Sequence, residues 1–320
     1  MTSEIKLGVS TCLLGEKVRF DGGHKHNRYV TQVLGTFFSF VPVCPESECG
    51  LGIPRESMRL VGPVENPRLI TTKSGIDHTR TMQQWSAGKL DQLAKEDLCG
   101  YIFKKDSPSS GLHRVKVYNQ KGQPMKKGRG LFAAAFTKRF PRIPVEDEGR
   151  LNDPVLRENF IERVFAMKRW RDLLEKRHSM GELVDFHTRE KLFVMAHSQK
   201  HYREMGRLVA NGKKLTLKEL YNRYEELFFQ ALDLKGTARK NTNVLMHILG
   251  YFKKQLSADE KQEVLELIDN YRNGHLPLIV PITLMNHFVR KYSQPYLSIQ
   301  TYMNPHPVAV SYTHLTLPTN

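Results

Sequence analysis

The chain has 320 residues, of which 40% are hydrophobic and 26% are charged, and its formal net charge is +16. This length can hold two domains with separate cores, and the composition is that of a folded protein. No apolar run approaches the roughly 20 residues of a membrane-spanning helix, and the N-terminus MTSEIKLGVS does not resemble a secretion signal. We therefore expect a cytoplasmic protein whose four cysteines serve metal binding or catalysis rather than disulfides.

Positive charge is distributed over the whole chain. Lysine and arginine outnumber aspartate and glutamate by 24 to 15 through Arg150 and by 25 to 18 beyond it, which gives +9 and +7. An even basic excess favours anionic partners such as nucleotides or RNA, although a solvated surface without a ligand has the same composition. The densest basic segment lies between residues 119 and 130 and contains Lys121, Lys126, Lys127 and Arg129.

Strand and helix patterns alternate in the first half of the chain. Strands are predicted at Lys6–Ser10, Phe40–Val43, Arg68–Thr72 and Gly100–Phe103, an exposed or edge strand at His113–Tyr118, and helices at Arg28–Phe38, Asp77–Lys95 and Gly130–Phe140. Strands separated by helices predict an α/β domain with a mostly parallel sheet. Ligands of such sheets bind beyond the carboxyl ends of the strands.

Three short segments follow three of these strands. They are STCLLG at Ser10–Gly15, VCPESE at Val43–Glu48 and KDSPSSG at Lys105–Gly111. Two of the segments carry a cysteine, Cys12 or Cys44, just after a strand. Because the carboxyl ends of parallel strands share one edge of the sheet, we expect the three segments to meet there.

From about residue 154 the pattern becomes helical. Helices are predicted at Pro154–Lys176, Gly181–His197, His201–Asn211, Thr216–Leu232, Asn241–Phe252, Ala258–Asn273 and Pro281–Tyr292. Glu219, three residues after Thr216, has the spacing of a capping box. We predict an α/β domain over residues 1–150, an all-α bundle over 154–307 and a disordered or extraneous tail over 308–320.

The three segments resemble the motifs of the TudS family of thiouracil desulfidases, also known as DUF523, which run approximately S-x-C-L-L-G, C-P-E and S-P-S-C-G. The resemblance covers residues from about 6 to 143. It implies a 4Fe-4S cluster held by three cysteines, with one iron open to the sulfur of a thiolated uracil base, nucleotide or thiouridine in RNA. From residue 158 onward, LVDFHTREKLFVMAHSQKHYREMG and NTNVLMHILGYFKKQL resemble the DUF1722, or YbgA-like, family, which implies no activity.

The resemblance also implies roles for individual residues. Cys12 and Cys44 would be cluster ligands, Glu46 a general acid or base, and Ser107 a group that orients the pyrimidine or relays a proton. Asp21 is a weaker candidate for substrate contact. On the residues alone, Glu46 could instead cap a helix, and Ser107 and Asp21 could be ordinary turn residues.

Ser110 stands where the family motif has its third cysteine. A serine hydroxyl stays protonated near neutral pH and is a poor ligand for cluster iron, whereas a thiolate is a soft ligand. Three explanations are open: an inactivating change, a serine-ligated cluster of altered reactivity, or replacement by another thiol. Cys49 is the candidate substitute, while Cys99 is expected at the opposite end of the sheet.

The sequence is also consistent with a second function and disfavours a third. Loss of the cluster would leave a non-catalytic, basic nucleic-acid-binding protein, and a dinucleotide or P-loop enzyme is disfavoured because no glycine-rich phosphate motif follows a strand. His197 and His201 have the i,i+4 spacing of a metal pair, but a structural role is favoured. A stripe of Asn243, His247 and Tyr251 suits either a nucleobase groove or a polar part of the core.

Overall fold

The computed structural model describes residues 4–312, which separate into two compact units. Among the described residues, one unit contains residues 4–168 and 307–312, and the other contains residues 169–306. The division at residue 168 falls inside the helix Pro154–Glu175, and the domain bounds expected from the sequence stay a prediction. Across residues 4–312, none of the helices combines the length and the apolar character needed to cross a membrane.

The regular elements follow the chain in this order. Strands β1 to β8 span Lys6–Ser10, Ser39–Val43, Met58–Val61, Arg68–Thr71, Gly100–Phe103, Val115–Tyr118, Pro124–Gly128 and Val145–Asp147. Helices α1 to α12 span Pro45–Glu48, Thr79–Leu93, Leu131–Arg139, Pro154–Glu175, Met180–His197, Gln199–Ala210, Leu217–Leu232, Ala238–Leu249, Ala258–Arg272, Ile279–Lys291, Pro295–Ser298 and Val308–Tyr312. A 3-10 turn at Thr11–Leu14 follows β1 directly, and the helix predicted at residues 28–38 consists of a π-helical turn and a 3-10 turn.

The first sheet has the order β2-β1-β5-β8, and all of its pairings are parallel. The α/β fold class with a mostly parallel sheet is therefore confirmed. A second sheet, in the order β4-β3-β6-β7, has one parallel pairing, between β3 and β6. Of the two alternatives predicted for β6, exposed or edge, the edge position is wrong because β6 lies between β3 and β7, and the basic segment after it supplies β7.

An aromatic cluster fills the space between the first sheet and helices α2 and α3. Tyr101 and Phe103 of β5 stack with ring centroids 4.1 Å apart, and Phe132 and Phe136 of α3 pack against both rings. All four side chains are fully buried. Burial of this size is the main stabilising contribution in a domain of this kind, and it fixes β5 and the loop that follows it.

The second unit is helical, as the sequence predicts, and each of the seven predicted helices has a counterpart. The capping box is present: Glu219 N donates to Thr216 Oγ1 at 3.3 Å, and Thr216 N donates to the Glu219 carboxylate at 3.1 Å. Ser198 separates α5 from α6 and caps α6, so His197 and His201 do not share one unbroken helix. His197 is buried with Nδ1 2.8 Å from Leu234 O, which fits the structural role.

The predicted tail lies only partly in the described region. Residues 308–312 form the short helix α12, whereas residues 313–320 lie outside the described residues. The prediction of a disordered or extraneous segment therefore stays a prediction.

Candidate active site

The three sequence segments meet at the carboxyl edge of the first sheet, as predicted. Cys12 lies in the 3-10 turn after β1, Cys44 lies between β2 and α1, and Ser110 lies in the loop after β5. All three line one cavity of about 360 Å³. Glu46 and Ser107 line the same cavity, so these five predicted site residues are brought together.

The two thiols lie in different environments within this cavity. Cys12 is buried and Cys44 is half-buried. Burial raises the pKa of the Cys12 thiol to about 11, an effect that the Lys104 ammonium partly opposes and a charged Cys44 would increase. Lys104 is itself held at the end of β5, where its backbone N donates to Ser10 Oγ at 2.9 Å and its ammonium pairs with Glu148.

Ser110 occupies the third corner of the site with an unengaged side chain. The residue is 3% exposed, and its backbone N donates to Ser107 Oγ at 3.1 Å. Within residues 4–312 its hydroxyl makes no hydrogen bond, and the residue lines the same cavity as Cys12 and Cys44. A larger, softer atom at this position would therefore break no existing hydrogen bond.

The loop that carries Ser107 and Ser110 is held tightly against the start of α3. Leu131 N and Phe132 N of α3 donate to the loop carbonyls of Pro108 and Ser109 at 3.2 and 3.0 Å. Gly130, at the N-cap, approaches the loop so closely that a Cβ there would lie 2.4 Å from Ser109 O. Only glycine allows this approach, which fixes the loop beside the two thiols.

Both carboxylate oxygens of Glu46 accept hydrogen bonds. Arg55 donates from Nε and Nη2 to Glu46 Oε2 at 3.0 and 2.6 Å. Ser109 Oγ donates to the other oxygen, Oε1, at 2.7 Å, and Ser107 Oγ lies 3.4 Å from Oε1 and 3.0 Å from Ser109 Oγ. The side chains of Glu46 and Arg55 are only 14% and 6% exposed, so this is a protected ion pair that fixes the carboxylate in one orientation.

Sequence reasoning missed three residues of this site. Arg55 belongs to no recognisable motif, and it reaches Glu46 only because the chain from Gly50 to Pro54 turns back. Ser109 could have been found, since it lies within the SPSSG segment between the candidate residues Ser107 and Ser110. Lys104, the first residue after β5, could have been found from its position at the strand end.

Asp21 is placed beside the cavity but not in its wall. Its exposed carboxylate accepts hydrogen bonds from Arg19 at 3.2 to 3.3 Å and from Gly23 N at 3.0 Å. These hydrogen bonds lower the pKa of Asp21, the Arg19 side chain contributing most. Asp21 therefore contacts a residue of the cavity wall, Arg19, and its predicted contact with substrate stays a prediction.

The two remaining cysteines lie outside the cavity wall. Cys49 packs against the core of the second sheet, and its Sγ is 3.5 Å from Glu46 O. Burial raises the pKa of the Cys49 thiol to about 11. Cys99 is buried at the amino end of β5, with its backbone N bonded to Lys6 O, at the opposite end of the strand from Ser110.

The residues of the cavity wall have the donor types that an iron–sulfur cluster requires, with one weak member. Two thiols supply soft donors, and the free Ser110 hydroxyl supplies a third, harder donor from the neighbouring strand end. Cys12 and Cys44 would hold the cluster, with Ser110 at the third position. The ligand atoms of His113, Glu146 and Asp147 also lie within 4.8 Å of one another, but this group is engaged with Arg150 and offers harder donors.

The chain is thus a two-part protein, with an α/β domain that has a thiol-lined cavity and a helical region after it. Comparisons with known proteins match both parts. Residues 7–148 match the family model described as 2-thiouracil desulfurase, and residues 191–307 match that of a protein of unknown function, DUF1722. The chain is 36% identical over 153 residues to the uncharacterized protein YbgA of Escherichia coli (strain K12). The aligned region covers 48% of this chain and 90% of YbgA. The chain therefore belongs to the YbgA-like DUF1722 family and carries a thiouracil desulfurase domain in front of it.

A solved structure, described as the [4Fe-4S]-dependent thiouracil desulfidase TudS, is also similar to this chain. It is 27% identical, with a TM-score of 0.39, and the similarity covers 47% of this chain and 95% of the solved one.

Proposed function

We propose that this chain is a non-redox desulfidase that replaces the sulfur of a thiolated uracil with oxygen. The substrate is the base, a nucleotide such as 4-thiouridine monophosphate, or thiouridine in RNA. The observation that carries the proposal is the convergence of Cys12, Cys44 and Ser110 on one cavity that also contains Glu46. The match of residues 7–148 to the 2-thiouracil desulfurase model supports the same chemistry.

The proposed cofactor is a 4Fe-4S cluster on Cys12, Cys44 and the Ser110 position. When bound, it supplies a soft Lewis acid for the sulfur of the substrate. The reaction is a hydrolysis: the oxygen of one water forms the new bond to carbon, the carbon–sulfur bond breaks, and the protons of that water leave as hydrogen sulfide. No oxidation state changes, so no electron carrier is required.

Glu46 is the proposed general acid or base. Arg55 holds Oε2, so Oε1 is the oxygen that faces Ser107 and Ser109 and can exchange a proton. The hydroxyls of Ser107 and Ser109 are 3.0 Å apart, which gives a short path for a proton between the cavity and Glu46. A carboxylate fixed in this way avoids the cost of reorienting during the reaction.

Basic side chains suit an anionic substrate. Arg19, Lys104 and Lys105 line the cavity together with the thiols. Arg19 is paired with Asp21 and Lys104 with Glu148, whereas no carboxylate within residues 4–312 pairs with the Lys105 ammonium. Lys105 is therefore the side chain that we propose to meet a substrate phosphate.

The test is anaerobic reconstitution of the protein with iron and sulfide, followed by iron quantification and measurement of sulfide release from 4-thiouridine monophosphate. We expect sulfide release from the wild-type protein, and a higher iron content and faster release from Ser110→Cys, because a thiolate replaces a hard, protonated ligand. Cys99→Ala, at the far end of β5, is the matched control and should behave as wild type.

Two other outcomes are decisive. Iron and activity that are found only with Ser110→Cys would identify this chain as a disabled desulfidase. A fully loaded Ser110→Cys protein that releases no sulfide would overturn the proposed function.

A further inference from the structure

The second sheet has one face in the core and one face toward solvent. Leu60 of β3 and Val117 of β6 are fully buried, and Met82 of α2 and Leu131 of α3 pack into the same core. Because neighbouring residues of a strand point to opposite faces, the residues beside Leu60 and Val117 lie on the outer face of this sheet. Basic side chains collect on that outer face.

Three cations lie side by side across three strands of the outer face. Arg59 and Lys116 directly precede the paired residues Leu60 and Val117, so they continue the parallel register of β3 and β6. Lys116 in turn lies opposite Lys126 of β7. Neighbouring strands are about 4.8 Å apart, so Arg59, Lys116 and Lys126 form one short row, which we call the basic row.

The charges of the basic row are not neutralised within the described part of the chain. Over residues 4–312, none of its three members forms an ion pair with a carboxylate. By contrast, Lys104 at the end of β5 is paired with Glu148. Like charges directly opposite each other destabilise an antiparallel pair of strands, so Lys116 and Lys126 weaken their own hairpin. An anionic partner bound across the row would remove this repulsion.

An aromatic ring lies beside the basic row. Tyr118 is two residues after Lys116 in β6 and so lies on the same face, and the Arg59 guanidinium is 5.2 Å from the centroid of its ring. Tyr118 and Arg59 are half-buried, whereas Lys116 and Lys126 are exposed. Cations and an aromatic side chain on an open sheet face bind single-stranded nucleic acids, the cations through phosphates and the ring through stacked bases. An acidic peptide would engage the cations but has no base to stack on the ring.

We propose that the outer face of the second sheet binds a single-stranded segment of nucleic acid. The basic row contacts the phosphates, and the Tyr118 ring with the Arg59 guanidinium lies beside the bases. This surface is built by β3, β6 and β7, whereas the thiols of the cavity follow β1 and β2 of the first sheet. The inference concerns binding alone and does not depend on the desulfidase reaction proposed above.

The test is the binding of a fluorescently labelled oligouridylate to the full chain, measured by anisotropy at several salt concentrations. We expect the affinity to fall by about 0.7 logarithmic units per tenfold increase in salt for each phosphate that is neutralised. The double variant Lys116→Gln, Lys126→Gln removes two of the cations and should make this slope shallower by about 1.4 units. The matched control is Lys95→Gln, Lys138→Gln, which removes two exposed cations near the carboxyl ends of α2 and α3 and should keep the wild-type slope.

Two further measurements separate loss of the surface from loss of the fold. Replacing both facing lysines by neutral glutamines relieves their repulsion, so the unfolding temperature of Lys116→Gln, Lys126→Gln should be at or above the wild-type value. Lysine acetylation of the wild-type chain, located by mass spectrometry, should be slowed by the oligouridylate at Lys116 and Lys126 and unchanged at Lys95 and Lys138.

Three results would overturn the proposal. The first is an absence of binding by the wild-type chain or an unchanged slope in Lys116→Gln, Lys126→Gln. The second is equal acetylation of Lys116 and Lys126 with and without the oligouridylate. The third is equally tight binding of a polyglutamate of matched charge at the basic row, which would assign the surface to an acidic protein partner. None of these measurements involves sulfide release, so they do not bear on the desulfidase activity.

Discussion

At the scale of single residues, the central feature of the site is that the two carboxylate oxygens of Glu46 have different hydrogen-bond partners. Arg55 binds Oε2, while the hydroxyls of Ser107 and Ser109 face Oε1. One oxygen thus anchors the side chain, and the other is available to the cavity. An ion pair that is this protected from water stabilises one orientation far more than an exposed pair would.

Glu46→Gln keeps the shape of this side chain but removes its ability to accept and return a proton. We expect kcat for sulfide release to fall by about 10²-fold to 10⁴-fold, the usual contribution of a general acid or base. The iron content should stay at the wild-type level, because Glu46 is not among the proposed ligands. Glu65→Gln, an exposed carboxylate of the same domain, serves as the control. Retention of full activity in Glu46→Gln would remove Glu46 from the mechanism.

Sequence reasoning located those residues whose chemistry is local to a motif. Cys12, Cys44 and Ser107 each follow a strand end, so the rule for parallel sheets is enough to bring them together. No such rule locates Arg55, because its contact depends on the loop that brings it back to the carboxylate of Glu46, nine residues earlier in the chain.

At the scale of elements, the loop after β5 and helix α3 form one structural unit. The N-terminal backbone groups of α3 donate to carbonyls of the loop, which replaces a side-chain cap that Gly130 does not have. Gly111 N also donates to Ser107 O at 2.7 Å, which closes the loop on itself. The position of Ser110 is therefore determined by backbone contacts rather than by its own side chain.

Gly130→Ala tests this coupling between loop and helix. A Cβ 2.4 Å from Ser109 O must displace the loop, so we expect a loss of about 1–3 kcal/mol in the free energy of unfolding and reduced iron binding. Gly88→Ala is the matched control, because Gly88 lies in α2 with nothing within 4 Å of the added Cβ. That change should stabilise the protein by about 0.5–1 kcal/mol. Chemical denaturation of both variants measures the difference, and equal stabilities would contradict the coupling.

The elements themselves were predictable where periodicity was strong. β1 and β5 were predicted to the residue, and the helices of the second half have counterparts because their apolar positions recur at helical spacing. β8 was missed because its residues Glu146 and Asp147 are acidic and suggest a linker. They are nevertheless buried, since Arg150 returns to bind both: its Nε donates to Glu146 at 2.7 Å and its backbone N to Asp147 at 2.9 Å.

At the scale of the whole molecule, the net charge of +16 is divided almost evenly between the two halves of the sequence. A small substrate in the cavity meets the few cations that line it, which are Arg19, Lys104, Lys105 and the Arg55 that is paired with Glu46. A polynucleotide would also contact basic residues far from the cavity, and each neutralised phosphate releases counterions. Free nucleotide and RNA substrates should therefore differ in their response to salt.

We expect KM for a thiouridine-containing RNA to rise steeply with salt, by about 0.7 logarithmic units per tenfold increase in salt for each phosphate that is neutralised in a single strand. KM for 4-thiouridine monophosphate should rise much less, because one phosphate is engaged. Steady-state sulfide release at several salt concentrations measures both slopes on the same preparation. A slope as shallow for RNA as for the mononucleotide would mean that the basic surface does not contact the nucleic acid. RNA binding with a steep slope but no sulfide release from either substrate, even in Ser110→Cys, would instead favour the non-catalytic nucleic-acid-binding protein.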